Sequence, residues 1–530
     1  MSKTIRLLDC TLRDGGYVNK WNFGNGTLTC IYDRLNDAGI DIIEIGFLDD
    51  REPFDINRTI QPDTQSLGKV YANTLPKKSM VLGMIDYGTC SIDNLERREN
   101  TILDGIRLIF KKEKMHAALD YAGKLIEKGY IVFLQLVSIT DYNEMDIKEL
   151  ADGARAVHPY AVSIVDTYGL MHEEQVHDYF KWLDRYLEPG VCIGYHSHNN
   201  FQLAYANTLE IVNMRTDRDV VIDGTLYGMG KSAGNAPIEL LAMYLNRNFG
   251  RKYDINQVLE AINSEIMPIY EKHYWGYSLF FYIAAQNNCH PNYVKYLMGK
   301  KTLSIGDVNT ILGKIEADYK LRYKEDYIET LYGEYVLEKI DDSECVEALK
   351  KNIGSKPILI MGPGRSIIEK ETSIKKYIED KKPLIISTNF IPEGIPVDYV
   401  FISNPLRYNL IVPKIKDESI RIIGTSNITA VGRPFDYTVR YDLLIAENTI
   451  WDNSLAILLN LFKKIGVGGV SLAGFDGFGD DSQNNYIDSN FDLSRSVEYL
   501  RSVNECMKKM IRDIRAEMDI EFVTKSLYQS

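Results

Sequence analysis

A rhythm in the first half of the chain constrains the fold most: short apolar runs alternate with helix-like stretches eight times between residues 1 and about 245. The runs lie at 5–10, 41–47, 79–85, 105–110, 130–138, 161–166, 191–196 and 219–226, with helical patterns such as 114–128 and 200–213 between them. Near-continuous apolar runs separated by amphipathic stretches are the pattern of parallel strands covered by helices. Eight such units predict an α/β chain whose N-terminal part is a (β/α)8 TIM barrel. The strand ends are polar: Arg13 and Asp14, Glu44, Asp86, Gln135, Asp166 and Thr167, His196 and His198. In a barrel those ends converge on one mouth. A strand reaching the surface accounts for single polar ends, but poorly for ionisable groups on so many.

Two of these ends carry chemistry. Asp9-Cys-Thr-Leu-Arg-Asp-Gly-Gly16 sets a guanidinium, Arg13, beside a carboxylate, Asp14. His196-Ser-His198 places two imidazoles two residues apart, and side chains at that spacing on a strand share a face. Both can therefore point at one metal ion, with Asp14 as its oxygen ligand. Arg13 is then a fixed positive charge beside that ion, suited to an oxyanion.

The bulk numbers bound the rest. A chain of 530 residues is too long for one core and implies two or three domains. Its net charge of −13, from 61 Lys and Arg against 74 Asp and Glu, argues against nonspecific nucleic-acid binding. No apolar run approaches the roughly 20 residues needed to cross a bilayer. The N-terminus enters a strand directly, with no signal-peptide pattern. The seven cysteines are scattered and form no CxxC pair, which reads as reduced thiols in a cytoplasmic protein.

The organisation expected is a barrel over 1–250, a helical extension over 251–354 rich in aromatic and charged residues, and a second α/β domain over 355–530. The boundary falls at Gly354-Ser-Lys-Pro357. Strands are predicted there at 358–361, 384–388, 397–402, 420–424 and 468–473, with helices at 452–464 and 494–517, as an open parallel sheet of Rossmann type.

Three motifs in order, Asp9 to Gly16, His196-Ser-His198-Asn199-Asn200 and Gly228-Met-Gly230-Lys-Ser-Ala-Gly-Asn235, resemble the DRE-TIM metallolyase (HMGL-like) superfamily. Its members include HMG-CoA lyase, isopropylmalate synthase and 4-hydroxy-2-oxovalerate aldolase, and the helical stretch resembles the extension of the aldolase branch. The resemblance implies that Asp14, His196 and His198 are metal ligands and that Asn235 ligates or supports them. It implies that Arg13 stabilises an enolate and that Glu44 orients Arg13; the lesser alternative for Glu44 is a barrel-floor ion pair. The mixed N/O ligand set suits Mn²⁺ or Mg²⁺ first, with Co²⁺ and Zn²⁺ as further options. One position departs from the aldolase pattern: a histidine expected two residues after Gly15 is Tyr17. A phenol with an ordinary pKa of ~10 is a poor base at neutral pH. Tyr17 therefore either moves a proton with help from nearby positive charge or only shapes the pocket. Asp166-Thr-Tyr-Gly169 resembles a family turn that lines the pocket. His290 either faces the mouth or packs a helix, and Trp275 and Tyr277 read as core or lid aromatics.

In the C-terminal domain, Gly362-Pro-Gly364 follows a strand and opens a helix, where a phosphate can sit on backbone N–H groups. With Asn389 and Asp476 at neighbouring strand ends, the domain resembles nucleotide or nucleotide-sugar domains of bacterial sialyltransferase-like and pterin-pyrophosphokinase-like proteins. The alternative is a domain that mediates oligomerisation. The expectation for the whole chain is a divalent-metal-dependent aldolase, a carbon–carbon lyase acting between pyruvate or a similar 2-oxo acid and an aldehyde. Its partners are these small molecules, without nucleic acid or a membrane span, and it is expected to be a homo-oligomer. An acyl-CoA lyase or Claisen-type synthase on the same barrel, or a scaffold barrel serving a glycosyltransferase-like domain, are the alternatives. The fusion suggests a place in surface-polysaccharide biosynthesis.

Overall fold

The computed structural model describes residues 3–300, 303–337, 339–353, 356–446, 448–479, 485–487 and 496–529. The chain divides into two compact units, Met1–Pro291 and Asn292–Ser530. The predicted boundary residues Gly354 and Ser355 lie outside the described residues. The stretch 251–354 is helical, but it is shared: helices Ile255–Ala261 and Leu279–Gln286 belong to the first unit, and Ile305–Gly313, Glu325–Val336 and Ser343–Ile353 to the second.

The first unit is a closed parallel barrel. Its strands are β1 (Ile5–Asp9), β2 (Ile42–Leu48), β3 (Met80–Asp86), β4 (Gly105–Phe110), β5 (Ile131–Leu136), β6 (Ala161–Asp166), β7 (Cys192–Ser197) and β8 (Val220–Gly224). Each pairs with its sequence neighbour, and β1 pairs both β8, from Ile5↔Val220 to Asp9↔Gly224, and β2, which closes the ring. All eight expected strands form because parallel strands in a barrel are covered on both faces, so their apolar runs are nearly unbroken. Helices such as Met115–Glu127, Glu173–Tyr186 and Ala204–Asn213 form the outer ring. The third unit departs from the rule: only two short turns, Ile92–Asn94 and Arg98–Asn100, link β3 to β4.

Inside the ring, side chains stack in layers. The lower layer is apolar, built from Leu8, Ile42, Leu82, Phe133, Ala161, Cys192 and Val221. Two residues further along five strands, the same inward face carries Glu44, Arg107, Gln135, Ser163 and Asp223, all buried. The layer next to the mouth is therefore polar and ionised while its floor is not.

The second unit is a seven-stranded parallel sheet. Its strands are β9 (Ile358–Met361), β10 (Leu384–Thr388), β11 (Tyr399–Ile402), β12 (Arg421–Thr425), β13 (Tyr437–Val439), β14 (Gly469–Ala473) and β15 (Asp519–Phe522), in the order β13-β12-β11-β10-β9-β14-β15. Winding runs outward from β9 to β13, then restarts on the other side of β9 with β14, so the carboxyl ends of β9 and β14 flank a switch point. The two edge strands, β13 and β15, were not expected from the sequence: they have three and four residues and are only partly buried, so no apolar run marks them. Among the described residues, no helix is long and apolar enough to cross a membrane.

Candidate active site

The site grows from the polar layer. Arg107, in the middle of β4, is fully buried and lies among three partners. It donates to Glu44 Oε2 at 3.0 Å, to Gln135 Oε1 at 2.9 Å and to Asp223 Oδ2. Glu44 Oε2 also accepts from Arg13 Nε at 2.8 Å, so Glu44 links Arg13 and Arg107 in one buried ion-pair network. Arg13 reaches Asp14 Oδ1 through Nη1 at 2.5 Å. Arg107 and Asp223 escaped the sequence reading. The available signal was a charge in the centre of an apolar strand, which is stable only when paired.

Above this layer the structure brings Asp14, His196 and His198 together, with ligand atoms all within 4.8 Å of one another. His196 ends β7, and its Nδ1 lies 2.9 Å from Asp223 Oδ2. That contact leaves Nε2 free to face an ion, the usual way a carboxylate sets the tautomer of a ligating imidazole. His198 forms an isolated bridge with Asn235, and its Nδ1 is 3.3 Å from Gly234 O and 3.9 Å from Asp14 Oδ2. Asn235 donates to Asp14 Oδ2 at 2.6 Å, while its own Oδ1 is buried and, among the described residues, has no hydrogen-bond partner. An orphaned amide oxygen beside two imidazoles and a carboxylate fits a divalent cation, the donor set such ions take. Gly230 makes this approach possible: a Cβ there would stand 2.1 Å from Asn235 Nδ2 and 2.5 Å from Asp14 Oδ2.

The electrostatics agree with a cation site. Burial alone would raise the Asp14 carboxyl, but Arg13, the two histidines and the Asn235 hydrogen bond hold it well below the usual range. Burial pushes His198 down to about 3, so the imidazole is neutral and able to ligate. Asp9 belongs to the turn rather than the site. Its oxygens accept from Thr11 N at 2.9 Å and Thr11 Oγ1 at 2.8 Å, and burial raises it to about 7.

Tyr17 lies on the mouth, 43% exposed, with its ring 4.7 Å from that of Trp21. Desolvation and the Asp14 carboxylate outweigh Arg13 and push its phenol up to about 12, the wrong direction for a base. Asp166 turns away from catalysis, because its oxygens cap the following loop by accepting from Leu170 N and Met171 N. His290 meets the ring of Tyr168 at 6.2 Å between centroids and so stands over a mouth loop rather than only among helices. Trp275 is core: its indole is buried and donates to Tyr227 O at 3.0 Å.

In the second unit the structure corrects the phosphate-cradle expectation for Gly362 and Gly364. Their N–H groups already donate to Ala473 O and Gly474 O, both at 2.8 Å. The Asp476 carboxylate sits at the start of the next short helix, accepting from Ser366 N at 2.8 Å. The glycines serve close packing between the β9 and β14 loops, since a Cβ on Gly364 would stand 2.5 Å from Gly474 O. A cavity of about 180 Å³ does open at this switch point, lined by Thr388, Asn389, Asp476, Phe475 and Ser454 among others. Beside it, Ser387 Oγ, Thr388 Oγ1 and Asn389 Oδ1 are buried and, among the described residues, have no hydrogen-bond partner.

The first unit is thus a closed (β/α)8 barrel whose mouth joins two histidines, an aspartate and a buried arginine, a group that could hold a metal ion beside a fixed positive charge. Comparison with known proteins places the barrel more closely. Residues 109–264 match the HMGL-like family model. An oxaloacetate decarboxylase of Mycobacterium tuberculosis is 28% identical over 276 residues, covering 49% of this chain and 76% of that protein. A 4-hydroxy-2-oxovalerate aldolase of Shewanella woodyi is 24% identical over 282 residues, 51% and 79% respectively. Another, from Thermus thermophilus, is 27% identical over 272 residues, 50% and 75%. The barrel of this chain is therefore similar to HMGL-like domains and, at 24–28% identity, to these lyases.

Proposed function

We propose that the barrel is a divalent-metal-dependent aldolase acting between pyruvate, or a similar 2-oxo acid, and an aldehyde. The observation that carries this reading is the Asp14–His196–His198 group lying against Arg13, itself anchored by Glu44. A divalent ion, Mn²⁺ or Mg²⁺ by its donor set, supplies Lewis-acid polarisation of the 2-oxo acid's oxygens when bound. Arg13 presents positive charge where the enolate oxygen develops, and the Glu44 and Asp14 contacts hold its guanidinium in place before reaction. Asp223 holds the His196 ring, and Asn235 steadies Asp14. In the cleavage direction the C4 hydroxyl loses its proton, the C3–C4 bond breaks, and its electron pair passes into the pyruvate enolate. With Tyr17 raised to about 12, direct proton abstraction by its phenolate is disfavoured, and a donor role or water relay is the part left to it.

A second reading is favoured by the similarity to an oxaloacetate decarboxylase. Loss of CO₂ from oxaloacetate leaves the same pyruvate enolate, so the same residues serve both reactions. One experiment addresses the shared step: with Mn²⁺ and pyruvate in D₂O, methyl protons should exchange without any partner, and Asp14→Asn should abolish exchange. Absence of exchange in the wild type would refute the enolate reading and favour a CoA-dependent enzyme or a scaffold barrel. If exchange is present, turnover of oxaloacetate against condensation with an aldehyde separates the two reactions.

For the second unit we propose a nucleotide or nucleotide-sugar ligand in the switch-point cavity. The three orphaned polar groups on consecutive residues 387–389 support it, since buried polar groups are normally satisfied. The aromatic face of Phe475 supports it as well. Thermal shifts of the full chain across a nucleotide panel test it, and no shift with any member would return the domain to a structural role.

A further inference from the structure

Three basic side chains at the barrel mouth have no part in the enolate chemistry: Lys231, Lys111 and His290. Lys231 follows Gly230, and its backbone N–H faces Asp14 Oδ2 at 3.3 Å. Its ammonium is bracketed by two phenol rings, 5.6 Å from the centroid of Tyr17 and 5.7 Å from that of Tyr168. Among the described residues this ammonium has no hydrogen bond and no ion pair. It is half-buried. Lys111 is the first residue after β4 and is exposed. Lys231 and Lys111 both bear on His290, which stands over Tyr168. The carboxylate on this side, Asp86, divides its attraction between Lys111 and Arg51.

A partly desolvated ammonium without a counter-ion is costly, and two ring faces offset only part of that cost. An incoming anion would offset the rest. The position of Lys231 indicates which substrate brings it. Arg13, Asp14, His196 and His198 are 4%, 1%, 3% and 5% exposed, deep in the mouth, where the 2-oxo acid is to be held. Lys231 lies one step outward, against the exposed ring of Tyr17, where the electrophile enters.

We propose that Lys231, with Lys111 and His290, forms an anion subsite that receives a carboxylate or phosphate carried by the aldehyde at the end remote from its carbonyl. The inference rests on the enolate reading. No bond forms at the subsite. The new C–C bond joins the enolate C3 to the aldehyde carbon, the carbonyl pair moves to oxygen, and that oxygen takes a proton.

The test compares matched aldehydes with pyruvate and Mn²⁺ on the full chain: succinic semialdehyde against butanal for a carboxylate, and glyceraldehyde 3-phosphate against glyceraldehyde for a phosphate. The expected result is a kcat/KM at least about tenfold higher for one charged member than for its neutral match, the effect of a charge-assisted contact. Lys231→Met should cut that ratio by about tenfold, Lys231→Arg should keep most of it, and Lys111→Met should lower it by a smaller factor. Equal use of charged and neutral aldehydes by the wild type overturns the subsite. So does a Lys231→Met variant that slows both classes by the same factor, since Lys231 would then serve the 2-oxo acid or the fold. Pyruvate exchange in the wild type separates the levels: exchange without anion preference overturns the subsite alone, and no exchange overturns the enolate reading and the subsite with it.

Discussion

Replacing Asp223 by asparagine probes the buried charge network that supports the ligands. Arg13 and Arg107 stand against Asp14, Glu44 and Asp223, two positive charges against three negative, all buried. This net charge of −1 suits the divalent cation proposed for the site, which would leave a single positive charge for the proposed anionic substrate to neutralise. Asparagine at 223 keeps the volume and one acceptor oxygen for His196 Nδ1 or Arg107, but the empty site becomes neutral and the loaded site gains an extra positive charge. The carboxylate behind His196 also fixes the orientation of the ring it holds at 2.9 Å. Loss of such a partner weakens metal binding about 10–100-fold, ~1.4–2.7 kcal/mol. Arg107 keeps Glu44 and Gln135, so the metal-free fold should lose only about 1–3 kcal/mol, a drop of several degrees in Tm. Calorimetric titration of chelator-stripped protein with Mn²⁺ reads the first effect, and thermal melting without metal reads the second. Wild-type affinity within twofold, together with an unchanged melt, would show that Asp223 sets neither the His196 tautomer nor the local charge.

Further outcomes follow from the same geometry. Arg13→Lys should keep a positive charge but lose the Nε contact to Glu44 and the Nη1 contact to Asp14; we expect pyruvate exchange by NMR to fall about 10²–10³-fold, the cost of one oxyanion donor, and near-wild-type exchange would remove Arg13 from the enolate step. Gly230→Ala forces a Cβ onto the Asn235–Asp14 pair and should cost about 1–3 kcal/mol, with metal binding lost; a variant that melts and binds Mn²⁺ like wild type would count against the approach seen here. Asp9, raised from 3.8 to about 7, holds its proton in the fold where the unfolded chain has lost it, so this group makes stability fall as pH rises through that window. Asp9→Asn should flatten that part of a Tm-against-pH curve, and an unaltered slope would refute the assignment. Thr388→Val removes a buried hydroxyl that has no partner among the described residues, so the ligand-free chain should gain about 1 kcal/mol of stability and melt higher, while any nucleotide-induced shift shrinks; a lower melting point would mean the hydroxyl is already satisfied.

Much of the architecture was legible because its cause is local. Strands of a closed parallel barrel are covered inside and out, so β1 to β8 advertise themselves as apolar runs, and the central strands β9 to β12 and β14 do the same. The edge strands β13 and β15 are short and half-covered, and nothing in their composition separates them from loops. At the site, the His196–His198 spacing and the Arg13–Asp14 adjacency are properties of the chain itself, so a metal-and-oxyanion reading needed no coordinates. Tertiary structure decided the rest, because it alone sets which strands face each other at one level of the barrel. It paired Arg107 with Asp223 across 116 residues and made Glu44 serve two guanidiniums. It set Lys231 between Tyr17 and Tyr168, and His290 over Tyr168. It also turned Gly362 and Gly364 from a phosphate cradle into packing against Gly474 and Asp476. A motif states which groups are present; whether a backbone N–H or a charged side chain remains free for a ligand depends on neighbours distant in sequence, and only the fold supplies those.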